Sequence, residues 1–184
     1  MMKMKPSTLI ALTVSAGLFS GVASAITGTS SVKATFTSTI EAGTCTAQIQ
    51  DASSKAISTL PFGDVFKSDL VAQSRSEPFK IAFSGCAGVK TATVTVQKKS
   101  CSGANADGDS FAAGNATAFE VWKGTAGNGT LLSCNTPTDQ KVTISSGAAK
   151  LDLAARIVLA KGQTIDKVTT GNVSVPVTFV VTYQ

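Results

Sequence analysis

An all-β sandwich is the fold class this sequence predicts. Three observations carry that expectation. Short stretches of alternating apolar and polar residues recur along the chain, clusters of Gly, Asn, Asp and Ser separate them, and no long amphipathic helix pattern appears. Once an N-terminal leader is set aside, the remaining length suits one domain with a sizeable core.

Met1 to Ala25 has the three parts of a secretory leader: Lys3 and Lys5, an apolar core from Leu9 to Phe19, and the small-residue cleavage site Ala23-Ser24-Ala25. The apolar run is too short to span a membrane. No later stretch is apolar enough either, which predicts an exported, soluble mature chain beginning at Ile26. Two of the 16 Lys and Arg residues leave with the leader. The others are scattered, with only Lys98-Lys99 adjacent, so no basic stripe supports a nucleic-acid partner.

From residue 26 the pattern is extended. Ile26, Gly28, Ser30, Val32 and Ala34 share one face of ITGTSSVKAT, a face thin in large residues that on composition alone reads as a terminal tail. Asp51 to Lys55 is a polar loop. Phe79 to Cys86 alternates cleanly, as do Ala92, Val94 and Val96 against threonines within Thr91–Gln97. Ser100 to Asn115 reads as a loop. Phe119 and Val121 mark a strand, and Asn128-Gly129 is a hairpin turn signal leading to Leu131, Leu132 and Cys134. Val142 and Ile144 mark a brief strand. Leu151, Leu153, Ala155, Ile157 and Leu159 share one face of a long strand, with Asp152 and Arg156 opposite. In the final stretch, GNVSVPVTFVVTYQ, Val173, Val175, Val177, Phe179, Val181 and Tyr183 alternate with Ser174, Pro176, Thr178, Val180 and Thr182. That is a strand with one buried face, and Pro176, lacking an N–H, marks one of its sides either as an edge or as filled by something that tolerates a missing donor.

Four cysteines, Cys45, Cys86, Cys101 and Cys134, follow the leader. In an exported chain an even count predicts two disulfides, and three connectivities are open. A zinc site would need ligands this chain lacks, since it has no His and no Cys-x-x-Cys. The absence of His also removes the commonest general base. Ser30-Ser31-Val32-Lys33 has the spacing of a serine acyl-enzyme motif, but in a strand residues three apart face opposite ways, and the partner motifs are missing. Asn105, Asp107 and Asp109 invite a calcium loop, yet the closing acid would fall on Ala116. Trp122, the only tryptophan, shares its face with Glu120 and is a sugar-stacking candidate or a packing residue. No catalytic set, metal site or cofactor follows from these residues.

The C-terminal stretch resembles that of subunits assembled by the bacterial chaperone–usher pathway, the fimbrial or pilin subunits of the type 1 and P pilus kind. In that family a glycine stands fourteenth from the end and a tyrosine next to last, with alternating hydrophobics between. Gly171 and Tyr183 occupy those places. Leu60-Pro61-Phe62-Gly63 is similar to the family's leu-x-x-gly turn, and Phe79 to Cys86 to its phe-x-ile-x-phe-x-x-cys strand. The resemblance covers nearly the whole chain after the leader.

It implies an immunoglobulin-like sandwich lacking its last strand and completed in trans, with a leader at 1–25, a donor-strand extension at 26–35 and the pilin domain at 36–184. The donor strand is Ile26, Gly28, Ser30, Val32 and Ala34, with Gly28 at the inward place that needs a small residue. FTSTIEAGTC, Phe36 to Cys45, looks like the first strand and turn, and Thr46 to Gln50 continues as the second strand. The bridge Cys45–Cys86 matches the family's usual disulfide and is expected to matter more, lying between core strands. Cys101–Cys134 has no counterpart in the simplest members and is taken from order along the chain. The groove and chaperone-binding strand comprises Gly171, Val173, Val175, Val177, Phe179, Val181, Tyr183 and Gln184. The implied partners are a periplasmic pilus chaperone, an outer-membrane usher and neighbouring subunits in a head-to-tail polymer. The implied destination is the cell-surface fimbrium, reached through the periplasm, and the implied role is a structural, adhesion-supporting one. A self-contained exported carbohydrate-binding sandwich, with Trp122 at its site, is the alternative.

Overall fold

In the computed structural model of the chain, residues 34–38 and 43–184 are described. The predicted leader and donor residues Ile26, Gly28, Ser30 and Val32 lie outside them. Ala34 and Thr35 are exposed and without regular structure, as are residues 36–38. Contacts divide the chain into Met1–Thr39 and Ile40–Gln184; the second unit is the β domain.

Its elements run β1 (Thr44–Asp51), α1 (Lys67–Ala72), β2 (Ser76–Ala87), β3 (Thr91–Val96), β4 (Phe111–Gly114), β5 (Thr117–Lys123), β6 (Thr130–Leu131), β7 (Gln140–Thr143), β8 (Ala149–Leu159) and β9 (Phe179–Tyr183). One sheet has the order β1-β2-β8-β5-β4, with β6 also paired to β5. The other has three strands, β7-β3-β9, and all pairs are antiparallel. Alternation decides which face each strand buries. Phe79, Ile81 and Phe83 of β2, Ala92, Val94 and Val96 of β3, and Leu151, Leu153 and Ala155 of β8 meet in the core between the sheets.

Three local expectations are corrected. The first strand does not start at Phe36, and Thr46–Gln50 is no separate strand. Thr44 to Asp51 forms one ladder with β2, from Thr44 opposite Ala87 to Asp51 opposite Phe79. A register irregularity between Thr44 and Thr46, beside the Cys45–Cys86 bridge, stands where a turn was expected.

The loop predicted from Ser100 to Asn115 contains β4, whose Phe111 is fully buried. The chain around it is rich in turn residues because it is tied down by the Cys101–Cys134 bridge and by the buried hydroxyl pair Ser102–Ser110, 2.8 Å apart, rather than by apolar residues. Asn128-Gly129 lies in the β5–β6 hairpin connection, as its signal predicts, but that connection is longer than a two-residue turn. The connection runs from Gly124 to Gly129, and its left-handed positions are Gly124 (φ 81°) and Gly127 (φ 83°).

Helix α1 is too short to show periodicity. It begins where the Phe66 N–H donates to the Asp69 carboxylate at 2.9 Å, and it packs through buried Leu70 on β8. On the β8 face turned away from the core, Ala154 and Val158 are buried as well.

Candidate functional site

The three-stranded sheet is narrower than the sheet it covers, and β9 lies at its end, with β3 on one side and no strand on the other among the described residues. The ladder with β3 runs from Tyr183 opposite Ala92 to Phe179 opposite Val96. Its last bond is the Gln97 N–H donating to the Thr178 carbonyl at 2.8 Å. The regular strand is therefore shorter than the predicted Gly171–Gln184. Gly171 (φ 143°) and residues 172–178 are outside it.

The predicted parity nevertheless holds along the whole stretch. Val173, Val175, Val177, Phe179, Val181 and Tyr183 are half-buried, while Ser174, Pro176, Thr178, Val180, Thr182 and Gln184 are exposed. Half-burial on the inward face is the informative part, because a strand closed into a sandwich buries that face as fully as Val94 or Ile81. Among the described residues, the backbone of residues 172–177 makes no hydrogen bond. Unmade bonds on an apolar strand are costly unless water or a partner satisfies them.

Beneath this stretch runs a groove of about 1270 Å³. That exceeds the roughly 300–1,000 Å³ of small-molecule pockets. Its floor is the inner face of the larger sheet, at Phe79, Phe119, Val121 and Ile157; its walls are Leu60 and Phe62 on one side and Val173, Val175 and Val177 on the other. Two bonds from Arg75, to the Phe62 carbonyl at 2.5 and 3.1 Å, hold the leu-x-x-gly loop against the start of β2. The Phe62 and Phe119 rings lie 4.9 Å apart across the groove's end. At the other end β9 is pinned to the opposite sheet by Phe79–Phe179 (6.2 Å) and by the edge-on pair Phe83–Tyr183 (6.5 Å). Asp64 and Lys67 are the charged residues of the lining. The groove is thus long, apolar and flanked by a backbone edge that is unpaired among the described residues, a shape that fits an extended peptide.

The floor and the Leu60–Phe62 wall were not singled out as site residues from the sequence. Their inward parity is legible in β2, β5 and β8, but which strands lie under the open end depends on topology. The structure joins Cys45 to Cys86 and Cys101 to Cys134. The first bridge joins strands β1 and β2, as expected, but the two differ in burial. Cys101 and Cys134 belong to the core, whereas Cys45 and Cys86 are half-exposed.

Trp122, Asp107 and Asp109 have structural partners, while Ser30 and Lys33 lie outside the described residues. The Trp122 indole N–H donates to Glu120 at 2.9 Å, the Arg156 guanidinium lies 5.2 Å over the ring, and Arg156 binds the same Glu120 oxygen at 2.7 and 3.0 Å. That face is occupied by the cation a sugar would have to displace. Asp107 pairs with Lys161 at 2.9 Å, and the hydrogen bond from Lys161 holds its carboxyl below the usual carboxylate range. Asp109 accepts from the Ser133 hydroxyl, and its carbonyl accepts from the Cys134 N–H at 2.9 Å. The two carboxylates are therefore engaged separately.

No family model matches the chain. The chain is 38% identical over 187 residues to the uncharacterised fimbrial-like protein YadL of Escherichia coli strain K12, a match covering 93% of this chain and 92% of that protein. Among solved structures, a chain from a chaperone–usher pilus structure concerned with rod uncoiling overlays with TM-score 0.53 at 22% identity, over 84% of this chain and 96% of its own. The P pilus rod subunit PapA overlays with TM-score 0.49 at 21% identity, over 75% and 99%. The first overlay establishes a shared fold; the second adds no argument.

Proposed function

The chain belongs to the fimbrial-like protein family, and from that premise we propose that it is a structural subunit of a surface fimbria whose groove is filled by an extended strand from another chain. It is not an enzyme, and its fold is the all-β sandwich of pilus subunits. The observation that carries the proposal is the stretch from Val173 to Tyr183: its inward side chains stop at half-burial and its free edge lies beside the groove.

An incoming strand supplies both missing terms. Its backbone pairs with the open edge, and its alternate side chains drop into the groove, which is β-strand addition as recognised for pilins. Completing the burial of six half-exposed side chains, at about half of ~1.5–3 kcal/mol each, withholds roughly 5–9 kcal/mol from the unfilled chain. That is comparable to the ~5–15 kcal/mol net stability of a whole domain. A subunit short of that much requires a partner from the moment it folds. A periplasmic chaperone of the pilus class supplies the first strand, and the segment Ile26 to Thr35 of a neighbouring subunit replaces it. Because donor and acceptor surfaces differ, the contact is head-to-tail and propagates as a fibre. In this reading export runs through the periplasm, by way of an outer-membrane usher, to the cell surface.

Expression of the exported chain with and without such a chaperone tests this. The expected result is degradation or aggregation alone and recovery as a one-to-one complex with the chaperone. Recovery as a stable monomer without it contradicts the proposal.

A further inference from the structure

The register of β9 assigns each of its backbone groups to one edge. Thr91 and Gln184 exchange both backbone bonds, at 2.9 and 2.8 Å, and Gln97 donates to Thr178 at 2.8 Å. Bonded pairs alternate along an antiparallel ladder. Thr178, Val180, Thr182 and Gln184 therefore turn their N–H and C=O toward β3, while Phe179, Val181 and Tyr183 turn theirs to the open edge. The alternation of burial continues without a break to Val173. By the same parity Val173, Val175 and Val177 face the groove edge, and Ser174 and Pro176 face the opposite one.

On that opposite side β3 has ended. Lys98 and Lys99 are exposed, Ser100 takes a left-handed φ of 57°, and the Ser100 carbonyl accepts from Ala112 at 2.7 Å, in the other sheet. Among the described residues, the stretch 172–177 thus carries two unpaired edges: one over the groove and one turned to solvent. An exposed edge is a template for stray strands. Pro176 is exposed and stands on the solvent edge, where it withholds a donor and its ring obstructs pairing. One place earlier or later, the same proline would interrupt the groove edge.

We infer that Pro176 is a specificity residue for strand addition: it closes the outer edge of the C-terminal stretch, so that a partner strand enters from the groove side alone. The inference rests on the strand-addition reading above. The probe is a synthetic peptide of sequence ITGTSSVKAT, supplied while the chain Ile26–Gln184 refolds from denaturant, and the product is followed by amide hydrogen exchange and light scattering.

In the parent protein the peptide protects the amides of Val173, Val175 and Val177, while Ser174 exchanges freely. Pro176→Thr keeps that protection, adds protection at Ser174, and raises self-association several-fold. The double variant Ser174→Pro/Pro176→Thr, which returns a proline to the outer edge, restores the parent's scattering. Val177→Pro, on the groove edge, weakens peptide binding about tenfold beyond the control Val177→Ala. This last comparison stands even if Pro176→Thr fails to fold. No protection at the three valines in the parent overturns the strand-addition reading and this inference with it. Protection at the valines, with Ser174 also protected in the parent, or with Val177→Pro no worse than Val177→Ala, overturns the assignment of Pro176 alone.

Discussion

Phe179 and Thr178 are neighbours on the chain with opposite surroundings. Phe179 leans into the core 6.2 Å from Phe79, and Thr178 is exposed. Phe179→Asp puts a charge against the core and removes a half-buried ring, at a cost of about 2–4 kcal/mol. Thr178→Asp should cost less than about 0.5 kcal/mol. Denaturation of the two strand-complemented variants measures both, and equal losses contradict the parity of the stretch. Lys161 and Asp107 give a pH signature of a different kind. Asp107 has its folded-state pKa lowered, so its contribution is present above the unfolded value and is lost as pH falls through the lowered one. The melting temperatures of the protein and of Asp107→Asn should differ near neutrality and converge in acid; a gap that widens in acid would reverse the sign of that linkage.

At the scale of elements, period two was enough to expose the inward face of residues 173–183, because those residues are β-branched or aromatic on one parity and the register of β9 preserves it. The site's other half was not legible. Phe119, Val121 and Ile157 look like any inward strand residues, and only the sheet order puts them under the open end. Strand β4 was hidden because a single buried Phe111 sits among glycines, alanines and serines held by a disulfide. The two disulfides close loops of similar length, 41 and 33 residues apart, each worth about 3–4 kcal/mol in chain entropy. Burial then separates them. Replacing Cys101 and Cys134 with Ala leaves space in the core and should lower stability more than replacing Cys45 and Cys86, as denaturant titration of the two double variants would show; the reverse order contradicts the core assignment. For the segment proposed as donor, Ser30→Val should raise the affinity of the ITGTSSVKAT peptide and Gly28→Val should lower it, read by titration; the opposite order would contradict the proposed inward place of Gly28.

For the whole molecule, the three-stranded sheet covers too little of the larger one, and the groove is the uncovered part. On the proposed reading, a sandwich left open in this way takes its last strand from outside, and its stability then belongs to the pair rather than to the chain. The most direct test carries the missing strand in the same chain. Residues 36–184 are followed by a short flexible linker and a copy of ITGTSSVKAT, which raises the strand's effective concentration to roughly the millimolar range. Thermal melting compares this protein with residues 36–184 alone. The account predicts that the strand-bearing protein melts higher, by about 10 °C or more. Identical melting of the two, with residues 36–184 already a stable monomer, would contradict it and make the sandwich complete in itself.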